Sequence, residues 1–268
     1  MGLKSDLAGK VPADLLRTLS DRFEVIGDVA ILTIPHELDP FKKTIAATLL
    51  ARRRNLYTVL NKVTKVSGNA RTARYEFLAG ETTVTLHREF GFEYRLDVGK
   101  TFFSSRLAYE RKRVTDQVQS GERVLVPFCG VGPFVIPAAA FGARVVAIEK
   151  NPVAFQWLLD NISLNKVCGN ISAIPGDAFD TSLFPHDDFE RAIIPTPYGM
   201  DTILDCIAPV VKRGGKIHFY TFKKRHQIPK LLEDFKGRQL LPLFYRSCGN
   251  VAPNVSRWVF DLKKGPAP

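Results

Sequence analysis

In Val124-Leu-Val-Pro-Phe-Cys-Gly-Val-Gly-Pro-Phe-Val-Ile-Pro137, a run of strand-forming apolar residues enters a tight glycine turn and leaves it as an apolar helix. Arg144-Val-Val-Ala-Ile-Glu-Lys-Asn-Pro152 follows, a second buried strand ending on an acid. Strand, glycine turn, helix and strand make the layout of a doubly wound nucleotide-binding domain. Gly130 and Gly132 are expected to let the backbone approach a ligand where a Cβ would collide. Glu149 closes the second strand, where a carboxylate can accept from a ribose diol. The turn departs from Gly-x-Gly-x-x-Gly, because Pro133 follows Gly132. A proline in the first helical turn is tolerated but withholds an N–H that a pyrophosphate would use. The expected ligand is therefore a nucleoside such as S-adenosyl-L-methionine, not a dinucleotide.

Outward from this stretch the alternation continues. Strands are predicted near 123–127, 144–148, 170–174, 190–194 and 215–221, with helices near 133–141, 152–165, 200–211 and 226–236. Such alternation argues a parallel sheet with helices on both faces. Two last strands, about 240–246 and 256–262, make a terminal antiparallel hairpin. Upstream the pattern is shorter and richer in strands: a short helix within 1–20, two strand pieces about Gly27-Asp28, and a helix from Asp39, its expected N-cap, to about Arg53. A strand over 57–63, a hairpin turning at Gly80 and a strand over 92–98 follow. The reading is a Rossmann-like α/β domain over 101–268, led in by a basic helix from Ser105, preceded by a small α+β domain over 1–100.

The 268 residues carry a net charge of +11. The basic clusters Arg52-Arg53-Arg54, Lys62, Lys65, Arg71, Arg74, Arg106, Arg111-Lys112-Arg113 and Lys223-Lys224-Arg225 fall at element ends and loops. That placement suits phosphates along a folded nucleic acid better than one helix face would. No apolar run has the ~20 residues of a membrane span, and the first residues show no secretory h-region. Cys129, Cys168, Cys206 and Cys248 form no Cys-x-x-Cys pair, so neither a zinc site nor a disulfide framework is expected. The expectation is a cytoplasmic protein with reduced thiols, no metal and no obligate protein partner.

Ligands of a doubly wound sheet bind at the strand ends. These ends hold 128–132, Glu149 to Asn151, Asp177-Ala178 and Pro195-Thr-Pro-Tyr198. Asp177 either accepts from an adenine amino group or caps a helix. Phe128 either walls the ligand or packs. The two prolines of the fourth loop would fix carbonyls for a base edge or a sulfonium, and Tyr198 could stack on a base.

Several segments occur together in order: Gly27-Asp-Val-Ala-Ile31, Ser67-Gly-Asn-Ala-Arg-Thr72, Phe103-Ser-Ser-Arg-Leu-Ala-Tyr-Glu-Arg111, Gly130-Val-Gly-Pro-Phe134, Glu149-Lys-Asn-Pro152, Asp160-Asn-Ile-Ser-Leu-Asn-Lys-Val167 and Ala252-Pro-Asn-Val255. With them the chain, from about residue 22, resembles the archaeal and eukaryotic tRNA guanine-N1 methyltransferase family. That family acts on the guanine 3′ of the anticodon. Its sister, a wybutosine-pathway transferase, moves an aminocarboxypropyl group from the same cofactor.

The resemblance implies a catalytic set of Glu110 as general base, Arg71 and Pro197. It adds Arg106 and Arg111 to the cofactor contacts read from the strand ends, which are Phe128, Gly130, Gly132, Glu149, Asn151, Asp177, Ala178 and Pro195. A carboxylate ringed by Arg106, Arg111 and Arg113 stays ionised and can take the guanine N1 proton, while an arginine near O6 stabilises developing charge. The chain departs from the family at Val126, where an acid is usual, and at Pro195-Thr-Pro197, where Asn-Leu-Pro is usual. The sister transferase also lacks that asparagine. The family's extra N-terminal domain is not recognisable, so the resemblance implies that affinity rests on the tRNA anticodon arm. The alternatives are aminocarboxypropyl transfer and an RNA-binding paralogue with a degenerate site.

Overall fold

The structure, a computed structural model, describes residues 2–64, 73–184 and 189–265. The chain divides into two units, 1–105 and 106–268. In the first unit, α1 (Leu3–Leu7) and α2 (Ala13–Leu16) precede β1 (Glu24–Ile26) and β2 (Val29–Leu32). A 3₁₀ turn (His36–Phe41) then runs into α3 (Lys42–Arg52), followed by β3 (Thr58–Lys62) and β4 (Tyr75–Ala79). Asp39 is thus inside the 3₁₀ turn and does not cap α3, whose N-cap is Phe41. Pro40 explains the shift: it has no N–H to give an α-helical bond. The four strands form one sheet in the order β1-β2-β3-β4. Leu7, Leu38, Ile45, Val59 and their neighbours fill the space between it and the helices.

The expected hairpin at Gly80 is not formed. β4 pairs with β3, and β5 (Val84–Glu89) pairs with β6 (Phe92–Asp97) across Phe90-Gly91. Gly80, at φ +83°, turns the chain away from β4, and a Cβ there would lie 2.7 Å from the Tyr57 carbonyl.

The second unit begins with a 3₁₀ turn (Ser105–Leu107, from the last residue of the first unit) and α4 (Ala108–Thr115). It continues with β7 (Arg123–Pro127), α5 (Val135–Ala140), β8 (Arg144–Glu149), α6 (Pro152–Leu164), β9 (Ile171–Pro175) and β10 (Phe189–Ile194). α7 (Ile203–Ile207), β11 (Val211–Lys223), α8 (Ile228–Gly237), β12 (Leu240–Ala252) and β13 (Val255–Lys264) complete it. One seven-stranded sheet holds them in the order β12-β13-β11-β10-β7-β8-β9. β7 to β11 are parallel, and β13 inserts antiparallel between β11 and β12.

Numbered within the unit, the order from β9 is 3-2-1-4-5-7-6, the doubly wound Rossmann arrangement closed by an antiparallel hairpin. This is the Rossmann-like α/β fold expected from the sequence. β7, buried on both faces, reads as a continuous apolar run because helices cover both sides. The switch point, where the order reverses, lies between β7 and β10.

Candidate functional site

The glycine turn is built to hold one carboxylate. Glu149 is the last residue of β8; its Oε2 accepts from the Gly130 N–H at 2.7 Å and its Oε1 from the Asn151 N–H at 2.8 Å. Phe128 and Gly130 reach this geometry with φ of +53° and +57°. A positive φ costs nothing special at glycine, but at a phenylalanine it is strain of the kind that clusters at ligand sites.

At Gly132 the packing of the turn also requires a glycine. A Cβ there would lie 2.7 Å from Leu158 Cδ1 on α6. The glycine therefore serves close packing of the turn against a helix and a φ of +93°. Pro133 sits in the turn before α5, whose N-cap is Phe134, and not in its first helical turn.

The neighbouring strand ends complete the rim. Asn151 caps α6, its Oδ1 accepting from Val153 N and Ala154 N. Asp177 accepts from the Phe179 N–H at 3.1 Å and pairs with Lys150 at 2.6 Å. The Lys150 ammonium, with that main-chain bond, lowers its carboxyl below the usual range. The Phe179 ring meets Phe128 edge-on, centroids 6.1 Å apart, so an apolar wall stands beside the acids. Ala178 is buried.

In the fourth loop Thr196 N donates to Ile194 O and Met200 N to Pro197 O. The Ile194 and Pro197 carbonyls thus each accept one bond within the loop, from residues that follow the prolines and supply the N–H groups the prolines lack. Tyr198 is 67% exposed and pairs with Phe222, centroids 5.4 Å apart.

Glu110 lies in a second, charged constellation. Its Oε1 accepts from Arg246 Nε at 2.7 Å, and its Oε2 accepts from Arg113 Nε at 3.0 Å and from the Tyr220 hydroxyl at 3.3 Å. Arg113 forks onto Asp261 at 2.5 and 3.0 Å. His218 Nε2 lies 2.6 Å from Arg191 Nη1 and its Nδ1 lies 2.7 Å from Asp261. Arginine only donates, so Nε2 accepts and Nδ1–H donates to Asp261, which fixes a neutral tautomer. Burial pushes the imidazole pKa down, with Asp261 opposing. Burial also works against ionisation of Asp261, but its bonds to His218 and Arg113 outweigh it and hold the carboxyl well below the carboxylate range. Arg191 carries the chain on to Glu122 at 3.1 Å.

Of the three arginines expected around Glu110, the structure puts Arg113 against it. Arg106 is exposed, and Arg111 is buried with partners of its own. The second arginine is Arg246, which no local pattern announces. It also stands over the Tyr109 ring, 4.7 Å from the centroid. Tyr220 joins this constellation to the glycine turn, its ring 5.6 Å from that of Phe134. Arg71 lies outside the described residues.

The fold and the glycine turn with its acid define a Rossmann-like transferase domain for a nucleoside cofactor. Residues 85–238 match the TRM5/TYW2 methyltransferase domain, and the chain belongs to that family. Residues 3–83 match the TYW2 N-terminal domain. The tRNA (guanine(37)-N(1))-methyltransferase Trm5b of Pyrococcus abyssi is 39% identical over 79% of this chain and 63% of its own length. The tRNA(Phe) (4-demethylwyosine(37)-C(7)) aminocarboxypropyltransferase of Pyrococcus horikoshii is 33% identical over 97% and 95%. The chain therefore spans under two thirds of that methyltransferase but nearly all of that aminocarboxypropyltransferase. The structure of aTrm5 with tRNALeu superposes with a TM-score of 0.87 at 30% identity, over 98% of this chain and 78% of that one. That of P. horikoshii TYW2 in complex with MeSAdo gives 0.82 at 31%, over 97% of each. Among the described residues no helix is long and apolar enough to cross a membrane.

Proposed function

We propose that this chain is an S-adenosylmethionine-dependent transferase that modifies the purine at position 37 of tRNA in the cytoplasm, by methyl transfer to N1 of guanine. The observation that carries the cofactor is the Glu149 carboxylate, oriented by two main-chain N–H groups. It lies 19 residues after Gly130 at the strand end where a ribose-binding acid belongs. Phe128 and Phe179 would flank the adenine, and Asp177 would accept from its amino group. When bound, the cofactor supplies an electrophilic methyl on a sulfonium.

The remaining chemistry belongs to the chain. Glu110 takes the guanine N1 proton, and Arg71 steadies the charge that develops at O6. Pro197 fixes the loop beside the acceptor. Proton acceptance at Oε1 requires Arg246 to turn away, which its partial exposure permits. Its side chain is 36% exposed against 16% for Arg113. The basic clusters then hold the anticodon arm through its phosphates. Glu110→Gln should lower turnover about 10²–10⁴-fold, the usual contribution of a general base, with cofactor affinity retained in calorimetry.

Aminocarboxypropyl transfer is the second reading. It is favoured by the match of residues 3–83 to the TYW2 N-terminal domain and by Pro195, where the methyltransferases carry asparagine. Mass spectrometry of tRNA nucleosides after incubation with the cofactor decides. A methyl at position 37 supports the first reading and the larger group the second. An unchanged tRNA sinks both.

A further inference from the structure

The terminal hairpin has two faces, and only one belongs to the charged constellation. On the other, Tyr245 and Ser247 of β12 stand opposite Phe260 and Trp258 of β13. The start of α8 leaves this face partly uncovered. The result is a groove of about 640 Å³ lined by Tyr245, Ser247, Ser256 and Trp258 on the strands, Ile228, Pro229 and Leu232 on α8, and Arg225 at its mouth. Two aromatic rings are held rigidly there. Trp258 donates its indole N–H to the Lys223 carbonyl at 3.2 Å. Tyr245 stacks one face on buried Phe260, interplanar angle 15°, and stays 46% exposed.

The lining holds one cation, Arg225, and no carboxylate. Lys224, Arg225 and His226 are consecutive and exposed, and among the described residues neither Lys224 nor Arg225 has a carboxylate partner. Aromatic faces beside hydroxyls and an unneutralised arginine are the chemistry of an unpaired nucleotide: stacking for the base, a cation for its phosphate.

We infer that this groove is a second RNA subsite, which takes one unpaired nucleotide of the substrate strand, its base on Tyr245 and Trp258 and its phosphate on Arg225. The strand identity rests on the tRNA reading above; the nucleotide subsite does not. A peptide would be drawn to the same apolar wall, but Arg225, in a chain with net charge +11, favours the polyanion.

The chain has two tryptophans, so Trp157→Phe leaves Trp258 as the sole tryptophan, excited selectively at wavelengths that tyrosine does not absorb. A single-stranded adenylate hexamer should quench it saturably, and tRNA should displace the hexamer. Tyr245→Ala should weaken hexamer binding roughly ten- to a hundredfold, the scale of one lost base stack, without changing the salt slope. Arg225→Ala should weaken it and reduce the slope of log K against log salt by about one phosphate contact. A loss of fold would move both quantities in both variants, so the split separates a binding role from a structural one.

Absence of quenching, or quenching indifferent to both substitutions, overturns the subsite. So does sedimentation showing a dimer that buries Trp258. If the hexamer binds as described while tRNA is never modified, the position-37 reading fails and the nucleotide subsite stands.

Discussion

Glu149 and Glu110 are both acids fixed near the carboxyl edge of one sheet, yet they are held by opposite means. Glu149 is oriented by neutral main-chain donors from residues within 19 positions of it. Glu110 is held by two guanidiniums and a phenol, of which Arg246 and Tyr220 lie 136 and 110 residues away. The first arrangement orients a carboxylate by main-chain donors of the turn, which suits binding a neutral diol. The second builds a buried ionic rail from Arg246 through Glu110, Arg113, Asp261 and His218 to Arg191, which suits fixing α4 against β11 and β13.

The largest effect should come from breaking the rail where it is most enclosed. Asp261 is 8% exposed and His218 is fully buried. Asp261→Asn leaves Arg113 without its bidentate partner, and removing one member of a buried pair costs about 3–5 kcal/mol. Urea unfolding measures it, and a loss under 1 kcal/mol would show that the rail is ornamental. The same groups set an acid limit. The lowered His218 pKa means that the unfolded chain binds a proton first, so stability starts to fall as pH drops below about 6.5. The lowered Asp261 pKa extends the loss below about 4. The melting temperature should therefore fall monotonically from pH 7 to pH 3, and Asp261→Asn should flatten the lower part of that curve.

Glu149→Ala should act differently. It should leave unfolding nearly unchanged and weaken S-adenosylmethionine by roughly 1–3 kcal/mol, the scale of hydrogen bonds to a charged group. Undiminished binding in calorimetry would remove Glu149 from the cofactor site.

The contrast also explains what the sequence could tell. The glycine turn, Glu149 and the five parallel strands are legible because each is local: an apolar run, a φ-permissive residue, an acid at a strand end. What stays hidden even there is the packing of Gly132 against Leu158, which depends on where α6 docks. The Gly80 hairpin failed for a similar reason. Residues 75–87 carry strand-forming runs on both sides of Gly80, but pairing partners are a tertiary choice, and β4 pairs with β3. Of the rail, the Glu110–Arg113 pair is legible, an acid three residues before an arginine on one helix, but nothing near Arg246, His218 or Asp261 marks them. Arg71 and its neighbours lie outside the described residues.

The smallest effect uses two thiols as local reporters of the two acids. Cys129 sits in the glycine turn, where burial and then the Glu149 charge push its pKa well above 9. Cys248 sits beside Arg246; burial, then the Glu110 charge, push it up to about 12. At pH 8 its thiolate fraction is then about one in ten thousand, and thiolate is the reactive form. Iodoacetamide should therefore label exposed Cys168 long before either, as read by peptide mass spectrometry. In Glu110→Gln the repelling charge is gone while Arg113 and Arg246 remain to favour thiolate, so Cys248 labelling should rise several-fold. In Glu149→Gln, Cys129 labelling should stay near zero, because Cys129 is only 3% exposed and enclosure shields it whatever its charge environment. Equal responses at the two cysteines would mean that both acids act through the same electrostatics, and the division between a turn-held and a rail-held carboxylate would have to be given up.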